Sequence, residues 1–353
     1  MNVQKNENEF VDLRNYNSLK IPSYCKTLIH LSSVQDLLLF SNLLHDKKFI
    51  LGEGTNIIID APAERPILYP ILLNVIKNKT ILSSKKNIIY VRCFGGENWN
   101  TFVNWTLENN FGGIENLISI PGTVGAAPFQ NIGAYGVEIS NFISSVNVWD
   151  FKKKVIKTLT RKQCKFSYRS SIFKEQVKDD GINNPRYLIL SIDFRLWKID
   201  KYPLQIEYSG IKEKLPDKPT AKKLASVIAK LREQKLPNPN SYPNIGSFFI
   251  NPSISVKKAQ LLKKKFPEMP FSVQKENSLI KISAAWLIEK AGFRGKRENN
   301  IGVSNRHSLI LINYKNASAK KILSFAKEIQ DAVMQKFNIQ LTIEPTILDS
   351  SEI

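Results

Sequence analysis

The chain has 353 residues, enough for two or three domains with sizeable cores, and its 42% hydrophobic content fits a globular protein. Its 51 Lys plus Arg against 31 Asp plus Glu leave a net charge of +20, which raises nucleic acid or an anionic membrane as partner without choosing between them. No run of about 20 apolar residues occurs, the first 20 residues lack the apolar stretch of a secretory signal, and Cys25, Cys93 and Cys164 are too scattered for a disulfide framework or a thiolate metal site, so a spanning helix is not expected and the cytoplasm is.

In chain order, residues 47–60, KKFILGEGTNIIID, read as strand, Gly-containing turn and strand. NIIYVRCFGG is a strand ending at Gly95 and Gly96, followed by a helix from about Asn98 that carries Trp99, Phe102, Val103 and Leu107 and stops near Gly112. Residues 116–138 hold too many glycines and prolines for a long regular element and form a structured loop. Antiparallel strands return at SSVNVWDF, KKVIKTLT and RYLILSIDFRLW. A helix from about Ala221 to Glu233 precedes LPNPNSYP, a candidate boundary. Beyond it come a short strand GSFFI, helices near Lys257–Phe266 and Ala284–Ala291, and a strand SLILIN. A long helix from Ser318 to Phe337 has Ile322, Phe325, Ile329, Ala332, Val333 and Phe337 on one face, and a strand Ile339, Leu341, Ile343 ends at Glu344 and Pro345. The fold class is α+β.

Several motifs carry chemistry. The run from Gly52 to Asn56 lacks the third glycine of a dinucleotide fingerprint and precedes a strand, so it is either a hairpin turn or an anion-binding turn offering backbone N–H groups. In IPGTVGAAPFQNIGAYG, residues 120–136, small residues let the backbone approach a bulky planar or phosphorylated ligand, while Thr123, Gln130 and Asn131 supply uncharged partners. Arg169, among Tyr168, Ile172 and Phe173, suits a carboxylate or phosphate, or else a structural ion pair. Ser247 lies between Gly246 and two aromatics, without the GxSxG or triad histidine of a serine nucleophile. Glu344 is a surface cap or an inward-facing acid, and Lys235 a solvated helix end or a phosphate contact.

Taken together, LGEGTN, GGENW, ENLISIPGTVGAAPFQNIGAYGVE, YRSSIFK, LREQKLPNP, GSFFINP, AAWLIEKAGFRG and IEP, from residue 51 to 345, resemble the UDP-N-acetylenolpyruvoylglucosamine reductases of peptidoglycan synthesis. The resemblance implies a vanillyl-alcohol-oxidase-like (PCMH-type) FAD-binding fold in two subdomains, residues 1–75 with 337–353 and residues 76–234, plus a C-terminal α+β substrate-binding domain, residues 235–336. Tyr208 matches the tyrosine loop of the longer subtype. Family members reduce the enolpyruvyl ether of UDP-N-acetylglucosamine to UDP-N-acetylmuramate, using NADPH through bound FAD.

By the same resemblance, hydride passes from flavin N5 to the enolpyruvyl double bond, Arg169 stabilises the charge that develops at the carboxylate, Ser247 delivers the proton and Glu344 completes the catalytic set. Gly52, Gly54, Thr55, Asn56, Pro121, Gly122, Gly125, Gln130, Asn131 and Gly133 are expected to hold FAD; Tyr168, Tyr208, Lys235, Asn251 and His307 are expected to hold the UDP-sugar. No metal, nucleic acid or membrane is implied, and a monomer is expected. The chain departs from the family at Ala126 and Ala127, where hydroxyls are common, at Ser170, often an acid, and at Ile250, often Lys. Two other readings are an oxidase acting on a carbohydrate or alcohol with the same flavin fold, and a basic nucleic-acid-binding protein motivated by charge alone.

Overall fold

The computed structural model describes residues 2–4, 10–40, 44, 47–208, 210–274 and 279–351. The chain divides into two compact units, each drawn from separate stretches: residues 1–11, 25–53 and 66–232 form the first, and residues 12–24, 54–65 and 233–353 the second.

Among the described residues the first unit holds two main sheets and a short ribbon of Gly133–Ala134 with Val137–Glu138. In the smaller, Leu28–Leu31 and Phe49–Leu51 flank Ile71–Asn74 in parallel, and Asn2–Gln4 adds an antiparallel edge. Helix α1, Val34–Leu39, starts at a capping box in which Ser33 and Asp36 each satisfy the other's backbone N–H. The larger sheet is antiparallel, in the order Val155–Thr160, Ile143–Asp150, Tyr187–Lys198, Ile88–Phe94, Lys79–Lys85. Its central strand Tyr187–Lys198 is buried almost throughout, while Val155–Thr160 at one edge is mostly exposed. Helix α2, Trp99–Glu108, begins where Asn98 accepts the N–H of Thr101, and it buries Trp99, Phe102, Val103 and Leu107, as the periodicity predicts. A further helix, α3, Ile172–Asp180, capped by Ser171, was not foreseen. Helix α4, Ala221–Lys235, contributes Leu224, Ile228 and Leu231 to the core of the larger sheet.

The second unit pairs Ile57–Asp60 in parallel with Thr346–Asp349, and Phe249–Ile250 antiparallel with Thr342–Ile343. Two three-stranded sheets complete it, one of Ser253–Ser255, Leu279–Ile282 and Phe271–Gln274, the other of Arg297–Glu298, Ile301–Val303 and Leu311–Asn313. Helices α5, Val256–Lys265, and α6, Ala284–Lys290, precede the 19-residue α7, Ala319–Phe337. Ser318 caps α7, Asn338 ends it in the left-handed region, and the apolar face read from sequence is buried, with Ala332 half-buried at its margin.

Two expectations change. Residues 47–60 are strand, turn and strand, but they make no hairpin: Phe49–Leu51 pairs with Ile71–Asn74 and Ile57–Asp60 with Thr346–Asp349. All four residues of Ile57–Asp60 are buried, the pattern of a parallel strand covered on both faces. The final strand, expected at 339–343, pairs regularly only at Thr342–Ile343 and is followed by a second strand beyond Pro345. The cysteines are buried, as expected, and burial pushes the Cys25 and Cys164 thiols up to about 12. Among the described residues no group of His, Cys, Asp and Glu could hold a metal, and no helix is long and apolar enough to cross a membrane.

Candidate active site

The turn at Gly52–Asn56 is shaped by constraints on its glycines. Gly54 has φ +64°, and a Cβ there would stand 1.9 Å from the Tyr16 carbonyl oxygen, so only glycine fits. The unit boundary falls inside the turn, after Glu53. Glu53 is the one anion of the turn, and both its oxygens are engaged: Oε1 accepts from Asn98 Nδ2 at 2.9 Å and Oε2 from the Gly122 N–H at 3.1 Å. A Cβ on Gly52 would just touch Thr123 and Ala126, so this glycine lies against the loop at 121–133.

That loop packs closely on the sheet. The Gly125 N–H donates to the Gly95 carbonyl at 2.9 Å, and a Cβ on Gly125 would meet Gly95 at 3.0 Å. Gly122, φ +116°, accepts the Trp99 N–H at 2.9 Å, and Trp99 Nε1 donates to Leu117 at 2.8 Å. Asn131, fully buried with φ +47°, uses its side chain inside the protein: Nδ2 donates to Glu138 and to the Ser167 carbonyl, and Oδ1 accepts the Ser140 N–H. What Asn131 can offer a ligand is therefore main chain, while Thr55 and Gln130 are half-buried and Pro121 is exposed. This set of neutral amides, a hydroxyl and bare glycine backbone, with Glu53 satisfied internally, fits a flavin nucleotide.

Arg169 projects from a two-residue turn closed by reciprocal hydrogen bonds between Ser167 and Ser170, both 3.1 Å. It sits at φ +55°, an uncommon conformation for a long side chain. Its Nη2 donates to the Gly133 carbonyl at 3.2 Å and its guanidinium lies 5.4 Å from the Tyr168 ring centroid. Lys174 donates to the Arg169 carbonyl, Ser171 to the Phe129 carbonyl and Ser170 to Glu175, so α3 anchors the turn. Tyr208, half exposed, meets the Tyr135 ring edge-on at 5.3 Å.

In the second unit, Ser247 follows Gly246, φ +73°, and bridges Ile310, while the Phe248 N–H donates to Leu309 at 2.8 Å. On its other side the Glu344 N–H donates to the Phe248 carbonyl at 2.9 Å and Ile343 pairs with Phe249. Ser247 and Glu344 thus stand on adjoining strand segments, with Glu344 buried. The Asn251 Oδ1 accepts the first N–H of α6, from Ala284, at 2.9 Å, leaving its NH₂ for a ligand. His307 Nδ1 accepts the Leu309 N–H at 3.3 Å, and its pKa is lowered by burial, then by Lys235 and Arg294. Lys235 and Arg294 surround this imidazole, which burial favours in its neutral form, with positive charge; Arg294 is the member the sequence reading missed, although it lies inside the motif AAWLIEKAGFRG. Arg169 belongs to the first unit, and Ser247 and Glu344 to the second.

Comparison with known proteins agrees with this chemistry. An FAD-binding domain profile matches residues 28–158, which places the chain among flavin oxidoreductases of the expected fold class. A profile of the C-terminal domain of UDP-N-acetylenolpyruvoylglucosamine reductase matches residues 238–348. The UDP-N-acetylenolpyruvoylglucosamine reductase of Flavobacterium johnsoniae is 37% identical over 99% of this chain and all of that one, and that of Dechloromonas aromatica is 36% identical over 96% and 98%. The chain belongs to this family. The crystal structure of the Thermus caldophilus member shares the fold, with a TM-score of 0.65 at 17% identity, covering 96% of this chain and 98% of that one.

Proposed function

We propose that the chain reduces the enolpyruvyl ether of UDP-N-acetylglucosamine to UDP-N-acetylmuramate, a step of peptidoglycan synthesis, as a monomer in the cytoplasm. The observation that carries the reading is Arg169, a permanent cation held in a left-handed turn against Gly133. Gly52, Gly54, Thr55, Asn56, Pro121, Gly122, Gly125, Gln130, Asn131 and Gly133 would hold FAD, which when bound would supply the hydride chemistry, with NADPH as the donor.

The chain's own residues manage charge and protons. As the double bond is reduced, negative charge grows on the carbon bearing the carboxylate, and Arg169 stabilises that charge more than the ground state. The Ser247 hydroxyl gives the proton to this strongly basic carbon, an acceptor basic enough for a weak acid to serve. Glu344, a buried carboxyl on the strand segment adjoining Ser247, completes the catalytic set. Lys235, Asn251 and His307 hold the nucleotide diphosphate and uridine, with Tyr168 and Tyr208. The three-part division at residues 75, 234 and 336 belongs to the same proposal, and its boundary near 234 is supported by the change of unit after Arg232 and the start of the C-terminal profile at 238.

Anaerobic stopped-flow spectroscopy tests it. Ser247→Ala is expected to leave NADPH reduction of the flavin fast and to slow reoxidation by the enolpyruvyl nucleotide by roughly 10² to 10⁴. Equal slowing of both half-reactions would make Ser247 structural, and a colourless protein that takes up no FAD would overturn the reading as a whole.

A further inference from the structure

Asn116 is fully buried in the short turn Glu115–Leu117. Its Nδ2 donates to two main-chain carbonyls remote from each other in sequence, Tyr135 at 3.1 Å and Gln205 at 2.8 Å. Two carbonyl acceptors fix which end of the amide faces them, because only NH₂ can donate. Gln205 lies three residues before Tyr208, and Tyr135 carries the ring on which Tyr208 rests, 5.3 Å between centroids at 76°. A single amide therefore ties the segment bearing Tyr208 to that ring's support.

The surroundings show that this tie is retained at a cost. Asn116 Oδ1 is buried with no hydrogen-bond partner among the described residues, a cost an apolar side chain would avoid. Tyr135 sits at φ +50°, unfavourable for a bulky residue, and its hydroxyl is hydrogen-bonded to Arg232, whose pKa burial lowers. Upstream, Tyr202 packs on Trp197 at 4.7 Å and on Phe142 at 5.7 Å. The segment is thus pinned at 202 and 205 while the Tyr208 ring stays half exposed.

We propose that Asn116 is a positioning residue for the sugar nucleotide: it holds the Tyr208 segment in the binding-competent arrangement and so sets affinity without touching the chemical step. This rests on the role proposed above for Tyr208. When the competent arrangement is only partly populated, apparent affinity falls by that fraction.

Steady-state kinetics of the FAD-loaded enzyme test it, with the enolpyruvyl nucleotide varied. Asn116→Ala is expected to raise KM about tenfold with kcat within about twofold, and to add little on a Tyr208→Ala background, since both changes disable one device. A Tyr208→Ala variant with raised KM beside an Asn116→Ala variant with normal KM would overturn the proposal and leave the Tyr208 reading intact. Additive effects would also overturn it, because Asn116 would then act elsewhere. An unchanged KM in Tyr208→Ala would remove the reading on which the proposal rests. If Asn116→Ala does not fold, Tyr135→Leu probes the same support from its half-buried side, with the same expected KM rise and the same loss of effect on the Tyr208→Ala background.

Discussion

Arg169 and Ser247 are held in place by different means. The loop at 116–138 and the turn at 167–170 have little regular pairing beyond the ribbon of Gly133–Ala134 with Val137–Glu138. Their shape depends on side chains bonded to main chain, chiefly Asn116, Asn131, Trp99 and Ser171, and on left-handed residues at Ser119, Asn131, Tyr135 and Arg169. The strand segments carrying Ser247 and Glu344 instead bond main chain to main chain on both sides and bury Phe248 and Phe249. Deleting one polar atom should disturb the first arrangement, whereas the second should yield only to lost apolar volume.

The largest effect is expected at Arg169 itself. Arg169→Lys keeps the charge but loses the planar fork that reaches Gly133 and is proposed to meet the substrate carboxylate, and flavin reoxidation by substrate should slow by roughly 10² to 10³. Next comes Asn131→Leu, similar in volume, which leaves Glu138, the Ser167 carbonyl and the Ser140 N–H without their partner. Urea unfolding should show a loss of about 3 kcal/mol. Phe249→Leu, by contrast, should cost only about 1 kcal/mol in the same measurement. If the two losses came out in the reverse order, the contrast between the regions would fail.

The smallest effect concerns pH. The folded-state pKa of His307 is depressed below its usual 6.5 by burial, Lys235 and Arg294, so below about that pH the unfolded chain binds more protons. The stability associated with neutral His307 is present above 6.5 and lost as pH falls through the lowered value. Thermal unfolding followed from pH 8 to pH 5 should therefore show a steeper decline for the native chain than for His307→Gln.

Legibility in the sequence divides along similar lines. Helices α2, α4 and α7 announce themselves by apolar spacing, and Asn98 and Ser318 by cap chemistry. Helix α3 was hidden because IFKEQVKDD is mostly polar and depends on Ser171 for its start. Strand Lys79–Lys85 was missed because its side chains are largely exposed and give no alternation. The partners of Phe49–Leu51 and Ile57–Asp60 were illegible, since short apolar strands carry no record of what they pair with. Within the site, the expected roles came from the motifs that carry the family resemblance, because the residues alone left the turn at Gly52–Asn56, Arg169, Lys235 and Glu344 open between a ligand contact and a structural part. Asn116, Tyr135 and Arg232 lay in or beside the same motifs, but their roles arise from contacts across long sequence separations that spacing cannot reveal.

The parallel pairing of Thr346–Asp349 with Ile57–Asp60 bears on how the chain folds as it is made. Ser350 bonds to Asp60 across 290 residues, and Arg65 reaches both Asp60 and Asp349. Closing so long a loop is costly in chain entropy and slow. During synthesis, which runs from the N-terminus, Ile57–Asp60 leaves the ribosome long before its partner exists. Throughout that interval its apolar edge lacks this partner, so the nascent chain is open to aggregation and chaperone capture there until Thr346–Asp349 has been made.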